Sequence, residues 1–171
     1  MKPRRSARPP YCFVSYSSRE PQLPLLLDCL DWVFREHFEV VRTPSCLTSG
    51  GSQLDQIGRL IGECAFAIVI LDGLRPNVVF EYGMIHGLKK PRILLKEIDA
   101  IVDLTTYLRQ PAPGPAMIDL DNQFSDVKDQ NYAQWNRYDL KLTLKTIWEQ
   151  YQSKMKKQVG YVDIPKPRIC L

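Results

Sequence analysis

The sequence predicts an α/β fold: an open parallel sheet of about five strands, flanked by helices, with a helical extension at its C-terminus. Three observations carry that prediction. Across residues 11–118, short apolar runs of strand length alternate with longer stretches whose apolar residues recur at helical spacing. The run "AFAIVIL" at 65–71 is apolar throughout and rich in β-branched residues, as befits a strand covered on both faces. The polar stretches "SYSSRE", "TPSCLTSGGS" and "DGLRPN" each follow a strand-like run and precede a helix-like one, which in a parallel sheet puts all three on one side.

Taken in order, "YCFVSY" (11–16) reads as the first strand. "LPLLLDCLDWVFREHF" (23–38) is a helix, because Leu23, Leu26, Leu27, Leu30, Val33 and Phe34 fall on one stripe. "EVVRT" is a short second strand, and after the turn-rich stretch that follows it Ser52 is placed to cap the helix "QLDQIGRLIGEC". "AFAIVIL" is the third strand and "VVFEYGMIHGL" the next helix, with Asn77, just after Pro76, as its expected N-cap. "PRILLKE" is a fourth strand, where Pro91 is tolerated at the start. "IVDLTTYLRQ" reads as a short helix and "AMIDL" (116–120) as a fifth strand.

From residue 119 a polar loop leads into "YAQWNRYDLKLTLKTIWEQYQSKMKK", expected to be one helix of about seven turns. Trp135, Tyr138, Leu142, Leu144 and Trp148 would form its apolar-aromatic face, packed on the sheet or used for self-association. The predicted organisation is a basic disordered leader at 1–10, the sheet domain at 11–118, the loop and long helix at 119–158, and a tail or linker at 159–171.

Composition narrows the class. The 171 residues are 44% hydrophobic and 25% charged, the balance of an ordinary globular chain that buries roughly two-thirds of its unfolded surface. No apolar run approaches the roughly 18 residues of a membrane span. The net charge of +4 resides in the leader, where Lys2, Arg4, Arg5 and Arg8 stand without an acid; the remaining chain has 19 basic against 19 acidic residues. That neutrality argues against nucleic acid as the partner. The leader also lacks the apolar core of a secretion signal. Five cysteines without a CxxC pair, and only two histidines, give no zinc-ligand spacing and fit a reducing cytoplasm.

The chemistry-bearing stretch is "DGLRPNVVFEYGMIHGLKKP" (72–91). Glu81 stands there among Val78, Val79, Phe80, Tyr82, Met84 and Ile85, so its helix is expected to be largely buried. A buried carboxylate is costly unless paired or hydrogen-bonded, which makes Glu81 a candidate functional group. Arg75 and Lys89 are candidate ion-pair partners, and Gly83 and Gly87 form a stripe expected to let the helix approach the sheet closely. Asp72 ends the third strand, where it is either a turn former or an acceptor for ribose hydroxyls. "SGGS" lacks the lysine of a phosphate-binding P-loop.

In combination, "FVSYSSRE", "CAFAIVILD" and "RPNVVFEYGMIHGLKKPRILLKE" resemble the TIR-like nucleotide-binding domains of bacterial antiphage effectors of the CBASS and Pycsar kind. Those domains are similar in turn to nucleoside 2-deoxyribosyltransferases, with a pattern like D-x-x-x-P-N-x-x-x-E-x-G before a G-K-P-x-I-L strand. Here the pattern reads Asp72, Pro76, Asn77, Glu81 and Gly83, then Lys90, Pro91 and Ile93. The Trp-Cys pair that precedes the glutamate in ordinary TIR domains is absent, so the match is to the TIR-like branch.

The resemblance covers residues 11 to about 97 and implies a flavodoxin-like sheet and cleavage of an N-glycosidic bond. It implies Glu81 as the catalytic carboxylate; Phe13, Ser15, Tyr16 and Ser17 as the lining of the first loop, Tyr16 being a stacking face for a base or a packed aromatic; Asp72 and Asn77 as ribose contacts; and Arg75 as a pyrophosphate contact. NAD is then a substrate rather than a cofactor, and the enzyme an NAD glycohydrolase of antiviral defence, switched on by oligomerisation through a fused or separate sensor. A base-exchange enzyme acting on deoxynucleosides and a non-catalytic nucleotide-binding or assembly module are the alternatives.

Overall fold

The structure is a computed structural model that describes residues 9–18, 23–42, 52–72, 75–98, 132–158 and 160–167. Five strands, β1 (Tyr11–Ser15), β2 (Glu39–Arg42), β3 (Phe66–Ile70), β4 (Arg92–Glu97) and β5 (Ala133–Trp135), form one sheet in the order β2-β1-β3-β4-β5. Every neighbouring pair is parallel. Among the described residues, four helices flank it: α1 (Leu23–Phe34), α2 (Gln53–Glu63), α3 (Pro76–Gly87) and α4 (Leu140–Met155). This is the flavodoxin-like arrangement, whose strand order reverses between β1 and β3.

Strand periodicity divides the core into two layers. Cys12 and Val14 of β1, Phe66, Ile68 and Ile70 of β3, and Ile93 and Leu95 of β4 pack with α1 and α4. The intervening residues Phe13, Ala67, Val69 and Leu94 pack with α2 and α3. All five residues of β3 are buried, because it pairs with β1 on one side and β4 on the other. On the α1–α4 side, the Phe34, Phe38, Phe66 and Tyr151 rings meet at centroid separations of 5.1 to 6.4 Å. Edge-to-face pairs of this kind contribute about 0.5–1.5 kcal/mol each beyond their burial.

The first helix buries the stripe read from sequence, Leu23, Leu26, Leu27, Leu30, Val33 and Phe34. Ser52 caps α2, its side chain accepting from the Asp55 N–H. Three predictions for the helix that carries Glu81 need correction. Arg75, not Asn77, is the N-cap of α3, and Pro76 occupies the first turn, where its missing N–H costs nothing. The helix is also less buried than its composition suggests: Val78, Glu81 and Ile85 face inward, while Phe80 and Leu88 are exposed. Cβ atoms built on Gly83 or Gly87 would meet nothing, so neither glycine serves close packing. The close approach is at Gly58 of α2, where a Cβ would lie 3.2 Å from Met84 Cε.

The long C-terminal helix is also shorter than predicted. Residues 133–135 leave the helical pattern and join the sheet beside β4, Leu95 pairing with Ala133 and Glu97 with Trp135. Asp139 then caps α4 through the Leu142 N–H, and the buried stripe is Thr143, Leu144, Ile147, Tyr151 and Met155. Tyr138 and Leu142, expected on that face, are exposed. The helix α4 is seated against α1, β4 and β5. The leader through residue 8, the fifth strand expected at 116–120, the helix expected before it, Cys46 and Cys170 lie outside the described residues.

Candidate functional site

Because the sheet is parallel, the ends of β1, β3, β4 and β5 present Ser15, Asp72, Glu97 and Trp135 along one rim. Ser15 shares the parity of Phe13 and therefore faces α2 and α3. Glu81 reaches it from the second turn of α3. Its Oε2 accepts a hydrogen bond from Ser15 Oγ at 2.5 Å. Both groups are buried, Ser15 completely and Glu81 to 3% exposure. The first turn of α3 contains no acid, so the helix dipole, which acts mainly there, is a weak account of this carboxylate. This hydrogen bond satisfies one of its oxygens and orients the carboxyl group.

The site lies where the strand order reverses, the usual ligand crevice of an open parallel sheet. Glu81 is buried on the face of the sheet where Phe13, Val69, Val78 and Ile85 pack.

The other predicted site residues divide between this place and the scaffold. Ser17 is buried and shares the strand parity of Ser15. Phe13 is fully buried core and touches no solvent, so it supports the strand rather than lining a loop. Tyr16 has the opposite parity and packs against the α1–α4 core, the packed-aromatic alternative of its two readings. Arg75 is half-buried at the start of α3, and Asn77 beside it is exposed. Lys89, one of the two ion-pair partners expected for Glu81, is exposed with a positive φ of 53°. The Ser15 hydroxyl is a partner that the sequence reading did not assign to Glu81.

Asp72 is 1% exposed, and its two carboxylate oxygens accept from the Glu97 N–H at 2.6 Å and Trp135 Nε1 at 2.8 Å. One side chain thereby ties the ends of β3, β4 and β5. Glu97, also buried, receives both Nε and a terminal guanidinium nitrogen of Arg137. Hydrogen bonding to Glu97 raises the Arg137 pKa, so the guanidinium stays charged. Glu97, Trp135 and Arg137 escaped the reading of the rim from sequence. The available signal was the acid closing the apolar run "RILLKE", which repeats the pattern of Asp72 after "AIVIL".

Among the described residues no group of three or more His, Cys, Asp and Glu side chains is arranged to hold a metal ion, and no helix is long and apolar enough to cross a membrane. Cys12, Cys29 and Cys64 are buried free thiols.

Fold and site together define a class: a doubly wound, flavodoxin-like α/β domain with a buried, hydroxyl-bonded carboxylate at its switch point. No protein-family model and no curated protein sequence matches the chain. Among solved structures it is similar to the TIR domains of the activated Roq1 resistosome directly recognising the pathogen effector XopQ. There 14% of residues are identical, 70% of each chain is covered and the TM-score is 0.45.

Proposed function

We propose that the protein is a TIR-like NAD glycohydrolase in which Glu81 acts at the nicotinamide ribose. The observation that carries this reading is the buried Glu81 carboxylate held by Ser15 Oγ where the strand order reverses. In the proposed reaction the bond between the nicotinamide nitrogen and the anomeric carbon breaks, and its electron pair leaves with nicotinamide as a neutral base. Water then adds to the anomeric carbon, yielding ADP-ribose and releasing one proton.

Glu81 contributes by standing beside the carbon that gains positive charge. A fixed carboxylate in a dry site stabilises an oxocarbenium-like centre more than it stabilises bound NAD, and only that difference speeds the reaction. The Ser15 hydroxyl keeps the carboxylate aimed, so little reorientation is needed as charge develops. No general acid is required for a leaving group that departs neutral. Ser17, Arg75 and Asn77 are the proposed contacts to ribose and phosphate, while Asp72 holds the rim together through Trp135 and Glu97. Antiphage defence and activation by self-association belong to the same proposal, supported by the sequence resemblance.

The test is to incubate concentrated protein with NAD and follow nicotinamide release. The wild-type chain is expected to turn over, and Glu81→Gln to lose nearly all activity while retaining its circular dichroism spectrum.

A further inference from the structure

On the opposite face of the sheet from Glu81, the C-terminal segment is pinned across α1 and α4. The Ile164 carbonyl accepts from Trp148 Nε1 at 2.9 Å and Gln152 Nε2 at 3.1 Å, and the Val162 carbonyl accepts from the Tyr151 hydroxyl at 2.7 Å. Ile164 is buried, and Pro165 and Pro167 restrict the backbone on either side of Lys166. Lys166 is thus carried on a fixed strap, with its Nζ 6.0 Å from the centre of the Trp148 ring.

The strap closes two adjoining concavities that share Lys166 and Pro167. One, of 440 Å³, has walls from Trp32, Arg35 and His37 at the end of α1; the other, of 130 Å³, adds Lys141 and Lys145 of α4. The larger volume lies within the range of about 300–1,000 Å³ common to small-molecule sites.

The charges here are poorly arranged for the protein alone. Lys141 stands in the first turn of α4, where the helix dipole disfavours a cation and no acid is present. Among the described residues, Lys145 pairs with Glu149 at 3.8 Å. Asp139 is engaged in capping the Leu142 N–H, leaving Glu36 as the acid in the groove wall. His37 Nε2 is shielded from solvent and has no hydrogen-bond partner among the described residues. Trp32 is 53% exposed, with the Arg35 guanidinium 5.3 Å from its ring centre. A half-exposed indole with Arg35 over its ring, next to a concavity lined by Lys141, Lys145 and Lys166, suits an aromatic base carrying a chain of phosphates.

We propose that this groove binds a nucleoside polyphosphate, with the base against Trp32 and the phosphates among Lys141, Lys145 and Lys166. The site is independent of the reaction assigned to Glu81 and is read by binding alone. Isothermal titration calorimetry of the full chain against ATP, with adenosine and inorganic tripolyphosphate as partial probes, tests it.

Saturable ATP binding is expected, weakened about tenfold or more in the folded K141A/K145A/K166A variant as charge-assisted contacts are lost. Trp32→Ala is expected to weaken ATP while leaving tripolyphosphate unchanged. The variant K154A/K156A/K157A, which removes the same charge from the other end of α4, should bind as wild type. The proposal is overturned if the wild-type chain shows no saturable ATP binding, or if the two triple variants bind equally. It is also overturned if a poly(dT) oligonucleotide binds and ATP does not displace it.

Discussion

Replacing Trp135 with phenylalanine separates the two readings of Asp72, because it removes one hydrogen-bond donor without touching the carboxylate. Trp135 Nε1 lies 2.8 Å from Asp72 Oδ2, and both residues are essentially excluded from solvent. A hydrogen bond to a charged group contributes about 1.5–3 kcal/mol, and the smaller ring leaves a packing defect, giving an expected loss of about 2–4 kcal/mol. Asp72→Ala is expected to cost at least as much, since the Glu97 N–H and the Trp135 indole both lose their acceptor. Urea denaturation followed by circular dichroism measures either change as a fall of about 1–2 M in midpoint at an ordinary m value. A Trp135→Phe stability within about 0.5 kcal/mol of wild type, the usual range for surface changes, would refute the clamp. Asp72 would then return to its other reading as a ribose contact.

Three further outcomes follow from individual residues. Gly83→Ala should stabilise the fold by about 0.5–1 kcal/mol in the same urea assay, because the added Cβ enters open space on α3; destabilisation would show that close packing governs the position. Ser15→Ala should lower kcat for nicotinamide release about tenfold with a smaller change in KM, the loss of one charge-assisted hydrogen bond to Glu81; unchanged kcat in a folded variant would remove the positioning role.

Stability should also fall under alkali. Burial pushes the Cys64 thiol from 9.0 up to about 11 and the Tyr151 phenol from 10.0 up to about 12, and it also raises Cys12. Each group keeps its proton longer in the folded chain than in the unfolded one. Their contribution is therefore fully present below pH 9 and is lost as pH rises through the folded values near 11 and 12. Urea midpoints measured from pH 8 to 11.5 should decline above 9, and Cys64→Ala should make that decline shallower. A midpoint independent of pH over that interval would contradict the assignment.

The layered sheet was legible because its signals were redundant. The apolar stripe of α1 and the continuous β3 run are each set by burial, and burial is what periodicity reports. Trp135 was misplaced for the converse reason. Its spacing to Tyr138 and Leu142 suits a helix, and only the open edge of β4 and the Asp139 cap settle that residues 133–135 are strand. The Asn77 error was avoidable, since Pro at the first helical position already assigns the cap to Arg75.

At the site, Glu81 stood out as an acid in an apolar helix, and Ser15 was named for a different task. Their contact depends on the register of β1 with β3 and on where α3 crosses that face, neither of which sequence spacing contains. The exposure of Phe80 and Leu88 was likewise hidden, because composition gives a helix's apolar content without saying how much of it the sheet covers.

The most direct measurement of the central claim is nicotinamide release from NAD by concentrated wild-type and Glu81→Gln protein. Glutamine keeps the size and retains a hydrogen-bond acceptor for Ser15, but removes the charge. NAD cleavage by the wild-type chain, with a loss of about a hundredfold or more in the folded variant, is the predicted result, in line with removal of a group that stabilises charge in the transition state. Equal NAD cleavage by the two proteins, or exchange of bases between deoxynucleosides with no loss of NAD, would contradict it.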